Sequence, residues 1–197
     1  MLEIIAATNN EHKVGEIKEI FSDVKIISLK EAGINVDVEE NGATFEENAL
    51  IKARAIYELT HRPVLSDDSG LSVKALGGRP GVFSARYAGV HGDNNANNLK
   101  LLSELNEVSD RKAEFVCAVA FICDKGEFTA LGRVEGEILH ELTGDGGFGY
   151  DPLFYSYELK KSFGVASSEE KNKVSHRARA LQNLKQVLAE NKVILSE

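Results

Sequence analysis

Cysteine is scarce in this sequence: two residues in 197, Cys117 and Cys123, both inside the apolar run from Phe115 to Cys123. On a single strand they stand about 20 Å apart by the strand rise, too far to bridge each other. A disulfide framework is thereby excluded, and both thiols read as small hydrophobes of a core. No apolar run approaches the 18 to 20 residues of a membrane span, and no basic segment leads into an apolar one at the N-terminus. The expectation is a soluble, cytoplasmic protein. Basic residues are outnumbered, 23 Lys and Arg against 31 Asp and Glu, leaving a net charge of −8. That balance argues against a sequence-independent nucleic-acid binder, which draws its affinity from Lys and Arg on phosphates. His61, His91 and His140 show no ligand-like spacing and His12 reads as a helix-surface residue, so no zinc site is visible. Internal repeats, low-complexity tracts and linker-like boundaries are missing too.

What is there is an ordinary globular composition, 43% hydrophobic and 27% charged. The length allows one large domain, or two closely joined lobes, with a core that needs no staple. Leu2 to Ala7 reads as a strand running into the polar turn Thr8-Asn9-Asn10-Glu11-His12-Lys13, followed by Val14, Ile17, Ile20 and Phe21 at helical spacing. Val24 to Ser28 is a second strand. Thr44-x-x-Glu47 is a capping box that opens a helix to about Leu59. Pro63 to Ser66 is a short strand ending at Asp67-Asp68-Ser69-Gly70. Asp93 caps a helix whose apolar face holds Leu99, Leu102 and Leu105. Ala113 to Cys123 and Phe128 to Leu139 make a hairpin of two long strands. The chain closes with a helix through Ala178, Leu181, Leu184 and Leu188. Strands alternating with helices early and consecutive strands later predict a mixed α/β fold with a mixed sheet.

Four segments carry candidate chemistry. The turn from Thr8 to Lys13 leads into a helix N-terminus with Lys13 in its first turn, which suits an anion, although the same residues serve simple capping. Asp67-Asp68 places two carboxylates side by side, expensive unless a cation compensates them. A hard divalent ion such as Mg²⁺ would do so, with Glu39 and Glu40 as further carboxylates, and a solvated acidic turn is the competing reading. Strand alternation sends the two side chains to opposite faces, so one does chemistry and the other orients or is structural. Gly144 to Pro152 has four glycines in six positions beside Phe148 and Tyr150, so backbone can approach a ligand closely and an aromatic ring can stack on a base. Ser175-His176-Arg177 opens the last helix, with Ser175 as N-cap. Cations in a first turn oppose the helix dipole and call for an anion or polar ligand, and Lys171, His176 and Arg177 form a donor set for phosphate and a base carbonyl.

Six blocks occur in order: Thr8-Asn9-Asn10-Glu11-His12-Lys13, Thr44 to Ala53, Ser66-Asp67-Asp68-Ser69-Gly70-Leu71, Gly81 to Gly89, Gly146 to Pro152, and Ser175-His176-Arg177. Together they resemble the inosine triphosphate pyrophosphatase family over essentially the whole chain. Its members hydrolyse aberrant purine nucleoside triphosphates such as ITP, dITP and XTP to the monophosphate and pyrophosphate, cleansing the nucleotide pool. The family's Thr-Gly-Asn stands here as Thr8-Asn9-Asn10; Asn tolerates left-handed backbone, so the turn is expected to survive.

The resemblance implies a single domain over 1–197 made of two α/β lobes on a long twisted mixed sheet, with the active-site cleft between them, and a homodimer. It implies that Thr8, Asn9, Asn10, Glu11, His12 and Lys13 hold the triphosphate. Glu39 and Asp68 would bind Mg²⁺, with Asp68 also the proton acceptor, and Ser69, Phe148, Gly149, Tyr150, Asp151, Lys171, His176 and Arg177 would contact substrate. Donors such as His176 or Arg177 would meet the purine 6-oxo group and be left unpaired by adenine. The related Maf-like nucleotide pyrophosphatases are a second reading, disfavoured by His176-Arg177 and by the segment from Phe148 to Asp151. A nucleotide sensor without turnover is a third, disfavoured because a sensor needs no base at Asp68.

Overall fold

The computed structural model describes residues 3–193; Leu2, the first residue of the expected N-terminal strand, lies outside them. In chain order the regular elements are β1 (Glu3–Ala6), α1 (Glu11–Ile20), β2 (Lys25–Ser28), α2 (Phe45–Thr60), β3 (Val64–Val73), α3 (Asn94–Glu104), β4 (Lys112–Cys123), β5 (Gly126–Ile138), β6 (Phe154–Ser156), β7 (Lys161–Ser162), α4 (Ser168–Val174) and α5 (His176–Glu190). Among the described residues the strands order as β2-β1-β3-β4-β5-β6-β7. β1 is parallel to β2 and β3, while β6 is antiparallel to β5 and β7, so the expected mixed α/β sheet is present. No helix among the described residues is long and apolar enough to cross a membrane.

The chain divides into two compact units. The first takes its described residues from 3–68, 117–132 and 177–193. Its sheet buries both faces, and strand alternation assigns side chains to each. On β3 and β4, Leu65, Cys117, Val119 and Phe121 join Val14 and Ile17 of α1 and Leu181 and Leu184 of α5. The intervening Val64, Ala118, Ala120 and Ile122 meet Ala49, Ala53 and Ile56 of α2. Both cysteines are buried and unbridged. The capping box at Thr44 is formed as expected, with the hydroxyl accepting from Glu47 N–H and the Glu47 carboxylate returning to the Thr44 N–H.

The second unit comprises Ser69–Val116 and Arg133–His176. Its core gathers Leu71, Leu101, Phe115, Leu153, Phe154 and Phe163. Phe115 and Phe163 lie parallel at 6.1 Å, with Phe154 tilted at 4.6 Å from Phe115.

Several expectations need correction. Pro63 to Ser66 is not a short strand ending at Asp67: β3 continues through Asp67, Asp68, Ser69 and Gly70 to Val73. The polar stretch stays in the sheet because its side chains find partners, Ser66 donating to the Ala49 carbonyl and the two carboxylates meeting amide and cations. On α3, Leu99 is 55% exposed, and the buried face is Asn97, Asn98, Leu101 and, at the C-cap, Leu105. The stripe follows the three-to-four-residue spacing that includes Leu101, and two buried asparagines lie in it: backbone groups meet both ends of the Asn97 amide, and Asn98 Nδ2 donates to the Gly149 carbonyl. The expected last helix is preceded by a short one, α4: Ser175 ends α4, its N–H donating to the Lys171 carbonyl, and with extended backbone it also stands immediately before the first residue of α5, where an N-cap belongs. Asn9 is not among the residues with positive φ, so the turn at Thr8 survives without a left-handed residue.

Candidate active site

In the first unit, the N-terminus of α1 caps itself. The Asn10 carboxamide oxygen accepts from the backbone N–H of His12 at 3.0 Å and of Lys13 at 3.4 Å, and Thr8 Oγ1 accepts from Asn10 N–H. Two first-turn donors are thus engaged internally, and the means of attracting an anion there shifts to the polar side chains and to Lys13. Thr8 is half-buried, while Asn9, Asn10, Glu11 and His12 are exposed. Lys13 reaches inward, its Nζ 3.0 Å from Asp67 Oδ2.

Asp67 and Asp68 leave β3 on opposite faces. Asp67 faces α1 and α5: Oδ2 receives Lys13 and, at 3.1 Å, Arg177 Nε, with Cys117 Sγ 3.9 Å away. Burial would raise its pKa, but the Lys13, Arg177 and Lys52 cations together hold it well below the usual carboxylate range. The same neighbourhood pushes the Cys117 thiol up, burial first and the Asp67 charge second. Asp68 faces α2, where Asn48 Nδ2 donates to its Oδ2 at 3.0 Å. Asn48 also accepts from Gly42 N–H at 2.8 Å, and a Cβ on Gly42 would stand 2.7 Å from the Cβ of Glu47, so this approach requires glycine. Burial, with help from the Glu40 charge, pushes Asp68 up to about 6 against the opposing pull of Lys52, Lys13 and Asn48.

Lys52 completes this face. Its Nζ donates to the Asp67 carbonyl at 2.7 Å and to Glu40 Oε1 at 3.0 Å. Burial disfavours its charge, yet Asp67, Asp68 and Glu40 hold its pKa above the ordinary value. Of the acidic pair, Glu40 is therefore the residue drawn into this cluster, and Glu39 is exposed beside it. Among the described residues no group of three or more His, Cys, Asp or Glu side chains forms a metal cage. An oxygen-only pair of Asp68 and Glu40 nevertheless fits a hard cation that takes one or two protein carboxylates and shares the rest of its shell with phosphate and water.

The second unit holds a different constellation. Asp151 Oδ2 accepts from the Phe148 N–H and from Lys171 Nζ, both at 2.8 Å, and Lys171 lies 4.6 Å from the Phe148 ring centroid. A Cβ on Gly147, whose φ is 73°, would stand 2.2 Å from Asp151 Oδ2, so the loop closes this tightly because the residue is glycine. Asn98 Nδ2 holds the Gly149 carbonyl at 3.0 Å. Tyr150 is buried, its hydroxyl donating to the Ser84 carbonyl at 2.8 Å, so its ring belongs to the core and Phe148, half-buried, is the ring available for stacking. Ser69 is half-buried. His176 stacks on Phe115 at 4.8 Å and 13°.

Arg177, expected to contact substrate, is engaged with two carboxylates of the protein. It is fully buried, with Nη1 2.6 Å from Glu16 Oε2 and Nε on Asp67. The rule that a first-turn cation needs an anion holds, but the anions are the protein's own. Sequence reasoning missed Asn48, Glu16 and Asn98. Asn48 had a signal, since it is a polar residue on the apolar face of α2, four positions before Lys52.

The fold is that of a mixed α/β protein with two adjacent buried aspartates on an internal strand. The profile of the Ham1 family matches residues 4–187, and the chain belongs to that family. A dITP/XTP pyrophosphatase of Clostridium perfringens is 53% identical over 196 residues, covering 94% of this chain and 96% of its own. One from Staphylococcus aureus is 43% identical over 190 residues, covering 96% and 97%. Among solved structures, the Ham1 protein of Staphylococcus aureus superposes with a TM-score of 0.87 at 43% identity, covering 96% of this chain and 99% of that one. A HAM1 protein of Coxiella burnetii gives 0.88 at 42%, covering 96% and 100%. The resemblance read from the six motifs is borne out.

Proposed function

We propose that this protein hydrolyses aberrant purine nucleoside triphosphates, ITP, dITP and XTP, to the monophosphate and pyrophosphate. The observation that carries this reading is Asp68: a nearly buried carboxylate, pushed up to about 6, oriented by Asn48 and set beside Glu40 and Lys52. Near neutral pH such a group is ionised yet basic enough to take a proton from attacking water. Relatives named dITP/XTP pyrophosphatase at 43% and 53% identity over nearly the full length support the substrate class.

Thr8 to Lys13 receive the phosphates, Lys13 by its ammonium and the remainder by short polar side chains around the α1 N-terminus. Asp68, with the Glu39-Glu40 pair, would hold Mg²⁺, which when bound lowers the pKa of water and offsets phosphate charge. Asn48 keeps the Asp68 carboxylate aimed. Lys52, shared between Glu40 and the Asp67 carbonyl, keeps this acidic group compact while its charge favours the approach of an anion to a protein of net charge −8. Phe148 stacks on the purine, and His176, Lys171 and loop N–H groups are the donors for a 6-oxo acceptor that the adenine amino group would leave unpaired. The reading includes a cytoplasmic homodimer that uses no nucleic acid.

The test is chromatographic product analysis of purified protein with Mg²⁺ and, separately, ITP, XTP, dITP, ATP and GTP. Monophosphate plus pyrophosphate from the first three, with little from ATP and GTP, is expected. Diphosphate plus phosphate would overturn the mechanism, and preference for another nucleotide would favour the Maf-like reading.

A further inference from the structure

Two adjacent asparagines lie on the buried face of α3, and they are used differently. Asn97 is satisfied at both ends of its amide, Nδ2 donating to the Ala85 carbonyl and Oδ1 accepting from the Ala88 N–H. Asn98, 5% exposed, uses one end only: Nδ2 donates to the Gly149 carbonyl at 3.0 Å, and Oδ1 is buried with no hydrogen-bond partner among the described residues. A buried acceptor left unmade costs about 1 to 3 kcal/mol, and most buried polar atoms avoid it. An apolar side chain of the same volume would remove that cost, and the Gly149 carbonyl, half-buried, could turn to water instead. The stability of α3 is therefore a weak account of Asn98, and what the residue achieves lies at the other end of its amide.

That end meets the glycine loop. Asp151 N–H donates to the Phe148 carbonyl at 3.2 Å, and φ is 62° at Gly149 and −91° at Tyr150, so residues 148–151 form a tight turn with glycine first of the central pair. The carbonyl that Asn98 holds belongs to the central peptide of this turn. A Cβ on Gly149 would meet nothing within 4 Å, so side-chain packing there does not set the direction of that peptide, and the hydrogen bond from Asn98 does. Two side chains depend on the direction: the Phe148 ring at one end of the turn, and at the other the Asp151 carboxylate, which holds the Phe148 N–H and Lys171. Asn98 reaches them from a helix seated in the core by Leu101 and Leu105, a fixed support for a loop without regular structure of its own.

We infer that Asn98 is a positioning residue for base recognition: from α3 it fixes the turn 148–151 through the Gly149 carbonyl, and so sets where the Phe148 ring and the donors beside it meet the purine. Asn98 itself touches no substrate. This rests on the reading that the turn meets the base, and it assigns Asn98 to purine affinity and not to the chemistry at the phosphates.

The experiment compares wild type with Asn98→Leu, which keeps the volume and removes both ends of the amide, by kcat and KM on ITP, inhibition by inorganic tripolyphosphate, and thermal melts. The KM for ITP should rise about five- to tenfold, the scale of one lost hydrogen bond. kcat and inhibition by tripolyphosphate should stay within about twofold of wild type, and the melting temperature within about 4 °C. In a Phe148→Ala background the same substitution should add no more than about twofold, since both act through one turn. Multiplying losses in that background, an unchanged KM, or a fall in kcat alone would overturn the inference. A lowered melting temperature with equal losses of ITP and tripolyphosphate would overturn it too, making Asn98 a structural residue of α3. If Asn98→Leu does not fold, Asn98→Ser, whose hydroxyl is too short to reach the Gly149 carbonyl, is judged by the same criteria. If the wild type does not turn over ITP, it is the functional reading that fails, and amide hydrogen exchange decides this inference. The Phe148 and Asp151 N–H groups should then exchange about tenfold faster in Asn98→Leu with those of α3 unchanged, and equal protection in the two proteins would overturn it.

Discussion

The two units differ in how they handle polarity. The first concentrates Lys13, Glu16, Glu40, Lys52, Asp67, Asp68 and Arg177 around one stretch of β3, in chains of ion pairs. The second has a buried ion pair at its candidate site, Lys171 with Asp151, set among Phe148 and Phe163, with His176 stacked on Phe115. A charged, oriented surface suits a phosphate anhydride and the proton transfers of its hydrolysis. A rigid loop with one offered ring and a few donors suits a flat, weakly polar base. The division of labour proposed for the two units follows from that contrast.

The largest effect should come from the first unit. Asp68→Asn should lower kcat by about 10³, the scale of a lost general base, while nucleotide binding measured by calorimetry persists. Parallel loss of binding would make Asp68 chiefly structural. In the wild type, kcat/KM should fall as pH drops below about 6, because the raised Asp68 carboxyl then takes up its proton.

In the second unit the matching substitution should break the fold. Lys171→Met leaves the Asp151 carboxylate buried without its cation and should cost about 3 to 5 kcal/mol in urea denaturation. An unchanged midpoint would show that the pair is not what sets the loop.

Stability against pH should separate the adjacent aspartates. A carboxyl whose folded pKa is raised favours folding while protonated, and that contribution is lost as pH rises from the ordinary value of 3.8 through about 6 for Asp68. Asp68→Asn should therefore stabilise the protein by about 2 to 3 kcal/mol at neutral pH and not at pH 4. Asp67 has the opposite sign: its folded pKa is lowered, so its contribution is present above the ordinary value and lost as pH falls. Asp67→Asn should destabilise at neutral pH.

Phe148→Ala should weaken ITP binding by about 1 to 3 kcal/mol, the scale of base stacking on an aromatic ring, with little change in melting temperature. Smallest of all, Leu99→Ser should stay within about 0.5 kcal/mol, since its side chain is 55% exposed. Leu101→Ala, two positions on and fully buried, should cost about 2 to 5 kcal/mol.

Much of the fold is legible because its signals are local. The capping box at Thr44, the long hairpin of β4 and β5 and the leucine ladder of α5 follow from spacing within a dozen residues. β3 is not legible in that way: Asp67 and Asp68 read as a turn until Arg177, 110 residues on, supplies charge. The helix α4 is short and buries only Lys171 and Val174, so periodicity gives no sign of it, although its capping box at Ser167 and Glu170 was there to be read. At the site, residue types at Asp68, Lys13 and Phe148 are informative because their chemistry is unusual in place. Arg177 shows the limit of such reasoning, since a cation in a first turn demands an anion without saying whose, and two of the protein's own carboxylates meet it. Adjacency to a glycine loop does not say which of Phe148 and Tyr150 sends its ring into the core; it is Tyr150.

The division between the units is tested most directly by competition with inorganic tripolyphosphate, which has the phosphate chain and no base, against wild type, Lys13→Gln and Phe148→Ala. The account predicts that Lys13→Gln weakens inhibition by tripolyphosphate and binding of ITP together, whereas Phe148→Ala weakens ITP and leaves tripolyphosphate unchanged. Equal losses of both ligands in Phe148→Ala would contradict it.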